Sequence, residues 1–282
     1  MSDLDPLLSP PFATVAGIAN FRDIASPRTR DNRLITPRLA WRCADPSRVQ
    51  PEGLTTMSQE LGIKTLFDLR SLPEILRDGG SGPDDNGASA NAALDAKFGE
   101  HGMTRRWTPV FAASDYGPEQ IALRYKAYTR SGTEGFVAAY RDILTHAGPA
   151  FGEVGRWLAS EEAMEGQGCV FHCTAGKDRT GLLAALLLLL AGVENEAVAE
   201  EYALTDVGLA SLREGFVERL MRHPSLNGDE VGVRNMVSSK RENMLASLEM
   251  LKQEFGGCEV YLIERCGLTE EELARLRDRL RG

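Results

Sequence analysis

The chain has 282 residues, 43% of them hydrophobic and 26% charged, with a formal net charge of −9. That length and apolar content fit a folded domain with a sizeable core, and the acidic balance argues against nucleic acid or an anionic membrane as the main partner. Five cysteines at irregular spacing and four scattered histidines make neither a disulfide framework nor a zinc pattern, so no metal or cofactor is called for.

The opening stretch, MSDLDPLLSPPF, has neither a basic nor an apolar signal region, and together with the cysteine usage this predicts a cytoplasmic protein. Seven arginines follow between positions 22 and 48 (22, 28, 30, 33, 38, 42 and 48) against Asp23, Asp31 and Asp45. Such a local positive excess fits either a surface that faces an anion or a solvated loop face. LAWRCA (39–44) and IKTLFDLR (63–70) are short, apolar and β-leaning, hence strands, while PEGLTTMSQELG between them reads as a helix closing at Gly62. From Asp78 to Gly87 the chain is almost wholly Gly, Pro, Ser, Asp and Asn. That composition predicts a flexible loop or insertion, running to about residue 92, inside a single domain of residues 1–282.

Beyond about residue 119 the pattern is helical. Ser131 and Glu134 have capping-box spacing and open a helix that ends at Gly148. CVFHC (169–173) is the next strand, and RTGLLAALLLLLAG, apolar on every side, is a central helix. Its apolar run from Leu182 to Val193 is too short for a bilayer, which needs about twenty residues. Residues 194–209 (ENEAVAEEYALTDVGL) read as a surface helix. Met244, Leu245, Leu248 and Leu251 share one helical face, as do Leu273, Leu276 and Leu280 behind a Thr269–Glu272 capping box. Few strands among many helices predict an α/β fold with a central, mainly parallel sheet flanked by helices.

The chemistry concentrates in HCTAGKDRTG (172–181), between the strand and the apolar helix. A loop that closes onto a helix N-terminus offers unpaired N–H groups and the positive end of the helix dipole, so its natural guest is an anion. A nucleotide-binding Walker A loop is excluded, because Phe171 stands where its first glycine belongs and Lys177 is followed by Asp178. What remains is Cys173, five residues, then Arg179 and Thr180. Helix N-termini and cationic neighbours hold a cysteine as thiolate, and a guanidinium fork grips two phosphate oxygens. Thr174, Ala175, Gly176, Lys177, Asp178 and Arg179 would then wrap a phosphate whose phosphorus lies over the Cys173 sulfur, the geometry for attack and a phosphocysteine intermediate. Gly176 supplies the tight turn, Thr180 a hydroxyl for the departing sulfur, and His172 hydrogen bonds that orient the loop. Cys169, four residues upstream, is either a small buried hydrophobe or a partner that resolves an oxidised nucleophile.

HCTAGKDRTG resembles the signature loop of cysteine-dependent tyrosine and dual-specificity phosphatases, and its Lys-Asp pair looks most like that of the PtpB-like enzymes of bacteria and fungi. GIANFRDIA (17–25), RLAWRCADPSRV, LGIKTLFDLRSLPE, EYALTD and GLTEEELARLRDRL resemble further segments of that family, in order along nearly the whole chain. The resemblance implies that Asp178, inside the anion loop, protonates the leaving group. Asp84, Asp85 and Asp115 are the alternatives if the acid comes from a separate loop. Arg70 and Glu74 of the DLR segment either brace the cradle from the sheet edge or form a plain salt bridge between helix and strand, Arg22 and Asp23 read similarly as support rather than substrate contacts, and Asp68 is a further supporting candidate. The resemblance also implies extra helices near 119–165 and 209–256 as a lid. The expected function is therefore phosphomonoester hydrolysis through a phosphocysteine, on phosphotyrosine with dual specificity open. Lys177, as a second cation, keeps a phosphoinositide or inositol phosphate in play, and a non-catalytic phosphate-binding module is the remaining alternative.

Overall fold

Alternation along the strands decides how this chain divides its core. On the strand Gly168–His172, Cys169 and Phe171 enter one hydrophobic cluster and Val170 the other. On Ile63–Asp68, Phe67 and Leu66 divide in the same way. A sheet whose two faces are both apolar has to be covered on both sides. A computed structural model shows how, for every residue except 1–6, 8, 78, 81–90, 117, 131, 164–166 and 282.

In chain order, β1 (Arg22–Asp23) and β2 (Ala40–Cys43) precede α1 (Pro51–Thr55), which runs on as a π turn over Thr56–Glu60. Then come β3 (Ile63–Asp68), α2 (Leu72–Arg77), α3 (Ala92–Gly99) and β4 (Thr104–Trp107). Helices α4 (Pro118–Tyr128), α5 (Glu134–His146) and α6 (Gly148–Ala159) lead to β5 (Gly168–His172). After β5 the chain is helical: α7 (Asp178–Ala191), α8 (Asn195–Ala203), α9 (Thr205–Gly208), α10 (Arg213–Met221), α11 (Glu230–Met236), α12 (Arg241–Phe255), α13 (Cys258–Glu264) and α14 (Glu270–Arg281). The sheet order is β1-β2-β5-β3-β4, with β2, β5, β3 and β4 parallel and β1 antiparallel at the edge.

The predicted α/β fold with a mainly parallel, helix-flanked sheet is therefore the observed one. The two strands that the sequence pattern does not announce, β1 and β4, are short, and both carry arginines where an apolar run would be expected. The helix predicted over 131–148 starts at Glu134 and stops at His146, and Gly148 opens the next helix instead of closing this one. Ser131 lies outside the described residues, as do most of the Gly-rich stretch after Asp78 and both Asp84 and Asp85. Asn91, at the far end of that stretch, caps α3 by accepting from the Leu94 N–H. The Thr269–Glu272 capping box forms in both directions, with Thr269 N to Glu272 Oε2 at 2.9 Å and Glu272 N to Thr269 Oγ1 at 3.1 Å. Helix α7 is buried along nearly its whole length and ends on Gly192 at φ +94°, where Val193 N returns to Leu188 O at 3.0 Å. No helix among the described residues is long and apolar enough to cross a membrane.

The helix at 195–203 lies at the surface on one face, where Asn195, Glu196 and Glu200 are exposed, but buries Val198, Ala199, Glu201 and Tyr202 on the other. Glu201 accepts from Arg22 Nε at 2.7 Å and from Arg42 Nη1 at 2.6 Å, with all three side chains essentially out of water. Arg22 adds a bond to Thr205 Oγ1 at 3.0 Å. Two of the seven clustered arginines are thus internal, and Arg28, Arg30, Arg33, Arg38 and Arg48 are exposed. Burial pushes the Glu201 carboxyl up, but the two guanidiniums outweigh it and hold it below the ordinary carboxylate range. Removing one partner of a buried ion pair leaves an uncompensated charge, worth about 3–5 kcal/mol. Glu201→Ala is therefore expected to lower unfolding free energy by about that much in urea titrations. The exposed neighbour Glu200, 3.4 Å from Arg241, should give less than about 1 kcal/mol on the same change.

Candidate active site

Three parallel strands end at one level, since Cys43 and Asp68 are both register partners of His172. The chain leaves β5 there, turns through residues 173–177 and enters α7 at Asp178. The turn is held from outside by its carbonyls. Asp45 N donates to Thr174 O at 3.1 Å, Asn20 Nδ2 to Ala175 O and Gly176 O at 3.2 Å each, and Arg42 Nη2 to Gly176 O at 2.8 Å. With the carbonyls committed outward, the amides face the other way. None of the backbone N–H groups from Thr174 to Asp178 has an acceptor among the described residues. Successive inward N–H groups at a helix N-terminus make an anion cradle. Gly176 is required twice over: its φ is +65°, and a Cβ there would sit 2.1 Å from Cys43 O.

Arg179, the second residue of α7, is gripped by Glu74 of α2 through two bonds of 2.6 Å, Nη1 to Oε2 and Nη2 to Oε1. Glu74 also accepts from Thr174 Oγ1 at 2.8 Å and from Ser71 N at 3.0 Å, so one carboxylate ties the start of the cradle to its arginine. Burial raises the Glu74 carboxyl, yet the Arg179 charge and these bonds prevail and hold it at about 2. Arg70 acts one step further out. It pairs with Asp68 (Nη2 to Oδ2, 2.7 Å) and with Asp45 (2.8 Å), the residue whose N–H holds Thr174 O, and Arg105 closes on Asp68 at 2.8 Å. His172 Nδ1–H donates to Cys173 O at 3.2 Å, and burial keeps the imidazole neutral, with its pKa lowered to about 4. Its Nε2 and the Thr180 hydroxyl are both buried without a hydrogen-bond partner, so the expected bond from Thr180 to sulfur is not formed.

Cys173 is 3% exposed at the base of the loop. Thr174, Ala175, Lys177, Asp178 and Arg179 line a cavity of about 410 Å³, walled by Phe111, Tyr128, Ile143, Leu220 and Val237, with helices α4, α5, α10 and α11 contributing to it. Of the helices expected as a lid, α4, α5, α10 and α11 contribute residues to this cavity, and Tyr128 of α4 together with α5, α6 and α12 also enters the main core. Lys177 lines the cavity too, but its ammonium is turned toward the end of α11 and the stretch after it. It donates to Met236 O and to Ser238 O (3.2 Å) and lies over the rings of Phe136 and Tyr128 at 5.1 and 5.6 Å. Asp178 Oδ1 lies 3.4 Å from Lys177 Nζ and accepts from Tyr140 Oη at 2.9 Å.

Other sequence candidates are not brought to this place. Asp115 accepts from Ala112 N at 3.1 Å within its own turn and does not line the cavity. Asp23 holds the backbone of Ala25 and Arg38. Cys169 sits on β5, about 10 Å or more along the chain from Cys173 at strand rise, beyond the 7 Å Cα separation that a disulfide tolerates. Burial also pushes its thiol well up, which suits a packed hydrophobe. Conversely, Asn20, Tyr140, Glu201 and Tyr202 belong to the site although the sequence pattern did not single them out. For Asn20 and Glu201 the signal lay in the family-like segments NFRD and EYALTD that contain them.

A family model described as the tyrosine phosphatase family matches residues 13–282. The chain belongs to the tyrosine phosphatase family. Hydrolysis of phosphomonoesters through a phosphocysteine is general to that family, so the expectation of a phosphoric monoester hydrolase stands. Over 296 residues, 94% of this chain and 98% of the relative, the sequence is 26% identical to the triple specificity protein phosphatase PtpB of Mycobacterium tuberculosis. It is 34% identical to a tyrosine-protein phosphatase of Nostoc commune over 148 residues, 50% of this chain and 48% of that one, so the chain spans about half the length of this second relative. The solved Siw14 catalytic core resembles it only loosely, with a TM-score of 0.34 and 10% identity over 74% of this chain and 84% of the other.

The buried groups of the site set the acid stability of the fold. His172 is lowered from 6.5 to about 4, so below pH 6.5 the unfolded chain takes up a proton that the folded chain refuses. Its contribution is complete above pH 6.5 and is lost as pH falls to about 4. Glu74, depressed from 4.5 to about 2, adds a second loss between those values. Urea unfolding free energy should therefore decline from pH 6.5 to pH 4, and His172→Gln should flatten that decline. An equal slope in the variant contradicts the assignment.

Proposed function

We propose that this chain is a protein tyrosine phosphatase in which Cys173 is the nucleophile, Arg179 the phosphate clamp and Asp178 the general acid. The observation that carries this reading is the loop after Cys173, whose carbonyls are held outward while Thr174, Ala175, Lys177, Asp178 and Arg179 line one cavity. A phosphate seated there accepts hydrogen bonds from the N–H groups of residues 174–178 and from Arg179, which Glu74 holds in plane. The Cys173 thiolate forms the S–P bond as the P–O bond breaks, and Asp178 gives its proton to the departing oxygen. Water then hydrolyses the phosphocysteine. Asp178 is favoured over Asp115 because it lines the cavity with its side chain a quarter exposed, whereas Asp115 caps its own turn.

The apolar wall above the sulfur favours an aryl phosphate, because an aromatic ring reaching down to the cradle is covered by Phe111, Tyr128, Ile143 and Val237. Dual specificity follows if shorter phosphoamino acids reach the same depth. A second reading, a phosphoinositide or soluble inositol phosphate, is supported by the exposed Arg77, Arg219 and Arg222 at the mouth of the cavity. The match to the family over residues 13–282 supports one catalytic domain, and five free cysteines support a reducing, cytoplasmic location.

Turnover of phosphotyrosyl peptide, phosphoseryl peptide, phosphoinositide and inositol phosphate, measured side by side, separates the substrates; a clear preference for inositol compounds would replace the tyrosine reading by the second. Cys173→Ser should abolish turnover and retain phosphate binding. If the intact protein binds phosphate tightly and hydrolyses none of the panel, it is a binding module instead. Asp178→Asn should slow alkyl phosphates by about 10²-fold or more while leaving activated aryl phosphates much less affected. Equal losses on both substrates would remove Asp178 from the role of acid.

A further inference from the structure

Two buried phenols end on the carboxylate of Asp178. Tyr140 of α5 and Tyr202 of α8 are 0% and 1% exposed, and their hydroxyls lie 2.7 Å apart. Tyr140 Oη is also 2.9 Å from Asp178 Oδ1. Tyr140 O–H donates to Oδ1, and because each phenol has a single proton to donate, the hydroxyl of Tyr202 is then the donor between the two phenols. Both tyrosines stay protonated, since burial first and the Asp178 charge second push them well above the ordinary phenol range. Lys177 Nζ stands on the same oxygen at 3.4 Å, while Oδ2 has no hydrogen-bond partner among the described residues.

We propose that Tyr140, held in direction by Tyr202, is a positioning residue for the general acid: by occupying Oδ1 it leaves the transferable proton on Oδ2. The inference rests on the reading of Asp178 as that acid. In the first step Oδ2–H gives its proton to the leaving oxygen as the P–O electron pair moves there. The negative charge that appears on the carboxylate is then met at Oδ1 by a donor already in place. A hydrogen bond to an ionised acceptor is stronger than one to a neutral acid, so this contact gains strength as the proton leaves. In the second step Oδ2 takes a proton from the attacking water while the S–P bond breaks and sulfur departs as thiolate, which restores the starting state. The charged and titratable groups that interact with Asp178 are Lys177 beside it, Tyr128 of α4, Tyr140 of α5 and Tyr202 of α8. Among them only the two tyrosines form a directed chain to its carboxylate.

A purely packing role for the hydroxyls would change stability and leave the chemistry of proton transfer alone, so the test compares leaving groups and pH profiles. Tyr140→Phe is expected to lower kcat on an alkyl phosphate about tenfold and on a nitrophenyl phosphate less than about twofold, with KM nearly unchanged. Without the donor the carboxylate is less favoured, so the descending limb of the kcat–pH profile should move up by about one pH unit. Tyr202→Phe should show the same pattern at about threefold. The double variant should be no worse than Tyr140→Phe, because Tyr202 acts only through Tyr140. Tyr202→Phe also serves as the deciding variant if Tyr140→Phe does not fold, which thermal unfolding will report. The proposal is overturned if Asp178→Asn shows leaving-group dependence but the tyrosine variants lose equally on both substrates with an unmoved limb. If Asp178→Asn itself loses equally on both, the acid assignment fails first and takes this inference with it.

Discussion

Everything in the site depends on where the carbonyls of residues 174–177 point. A peptide unit that gives its oxygen to one side gives its N–H to the other, so an anion cradle is built by finding donors for its back. Asn20, the Asp45 N–H and Arg42 are those donors. None of them is free to move. Arg42 is fixed by Glu201, which also fixes Arg22, and Arg22 in turn donates to Asn20 Oδ1. Asp45 is fixed by Arg70, itself locked to Asp68. Two charge clusters, one on each side of β5, thus hold the loop from behind. Their burial raises the cost of any one missing partner, and that cost is what makes the loop geometry single-valued.

The same economy of parts governs Arg179. An arginine that grips a phosphate from the side must not wander, and its long side chain has much rotamer freedom to lose. Glu74 removes that freedom in advance with two bonds of 2.6 Å, and it draws Thr174 into the same carboxylate. The guanidinium is therefore held in place by the fold itself, and an anion bound to it would not have to supply that ordering.

Much of this was legible in the sequence, for physical reasons that also explain the gaps. The strand, loop and helix of residues 169–191 are local: an apolar run, a glycine at the turn and a polar knot are read within two dozen residues. Cys173, Arg179 and Asp178 stood out as candidates because their spacing is local as well. The supports are not local. Glu201 and Arg22 are 179 residues apart, and nothing in ENEAVAEEYALTD distinguishes a glutamate that faces water from one that pairs with two buried arginines. The expected surface helix forms, but for that reason its buried, charge-bearing face was not foreseen. Charge density around residues 22–48 carried the same ambiguity, since a guanidinium inside a cluster and one in solvent have the same letter. Strands β1 and β4 were missed because pairing with neighbours, not their own composition, makes them strands.

Lys177 shows how geometry alters a reading of substrate. From the sequence it was a second cation in the cradle, available to a second phosphate. In the structure its ammonium is spent on the carbonyls of Met236 and Ser238, between the rings of Tyr128 and Phe136, and it is 4% exposed. A phosphate that recruited it would have to replace two hydrogen bonds and a partly aromatic surround, so much of the attraction would be cancelled by what is given up. Its present contacts instead tie the cradle to the stretch between α11 and α12, beside the wall that an aryl group would meet. Any reading of extra negative charge then falls to the arginines at the mouth, Arg77, Arg219 and Arg222, which lie in water and bind with the weaker, salt-screened strength of surface charges. Discrimination by the buried part of the site is accordingly a matter of depth and ring contact, and discrimination by charge is a matter of the rim.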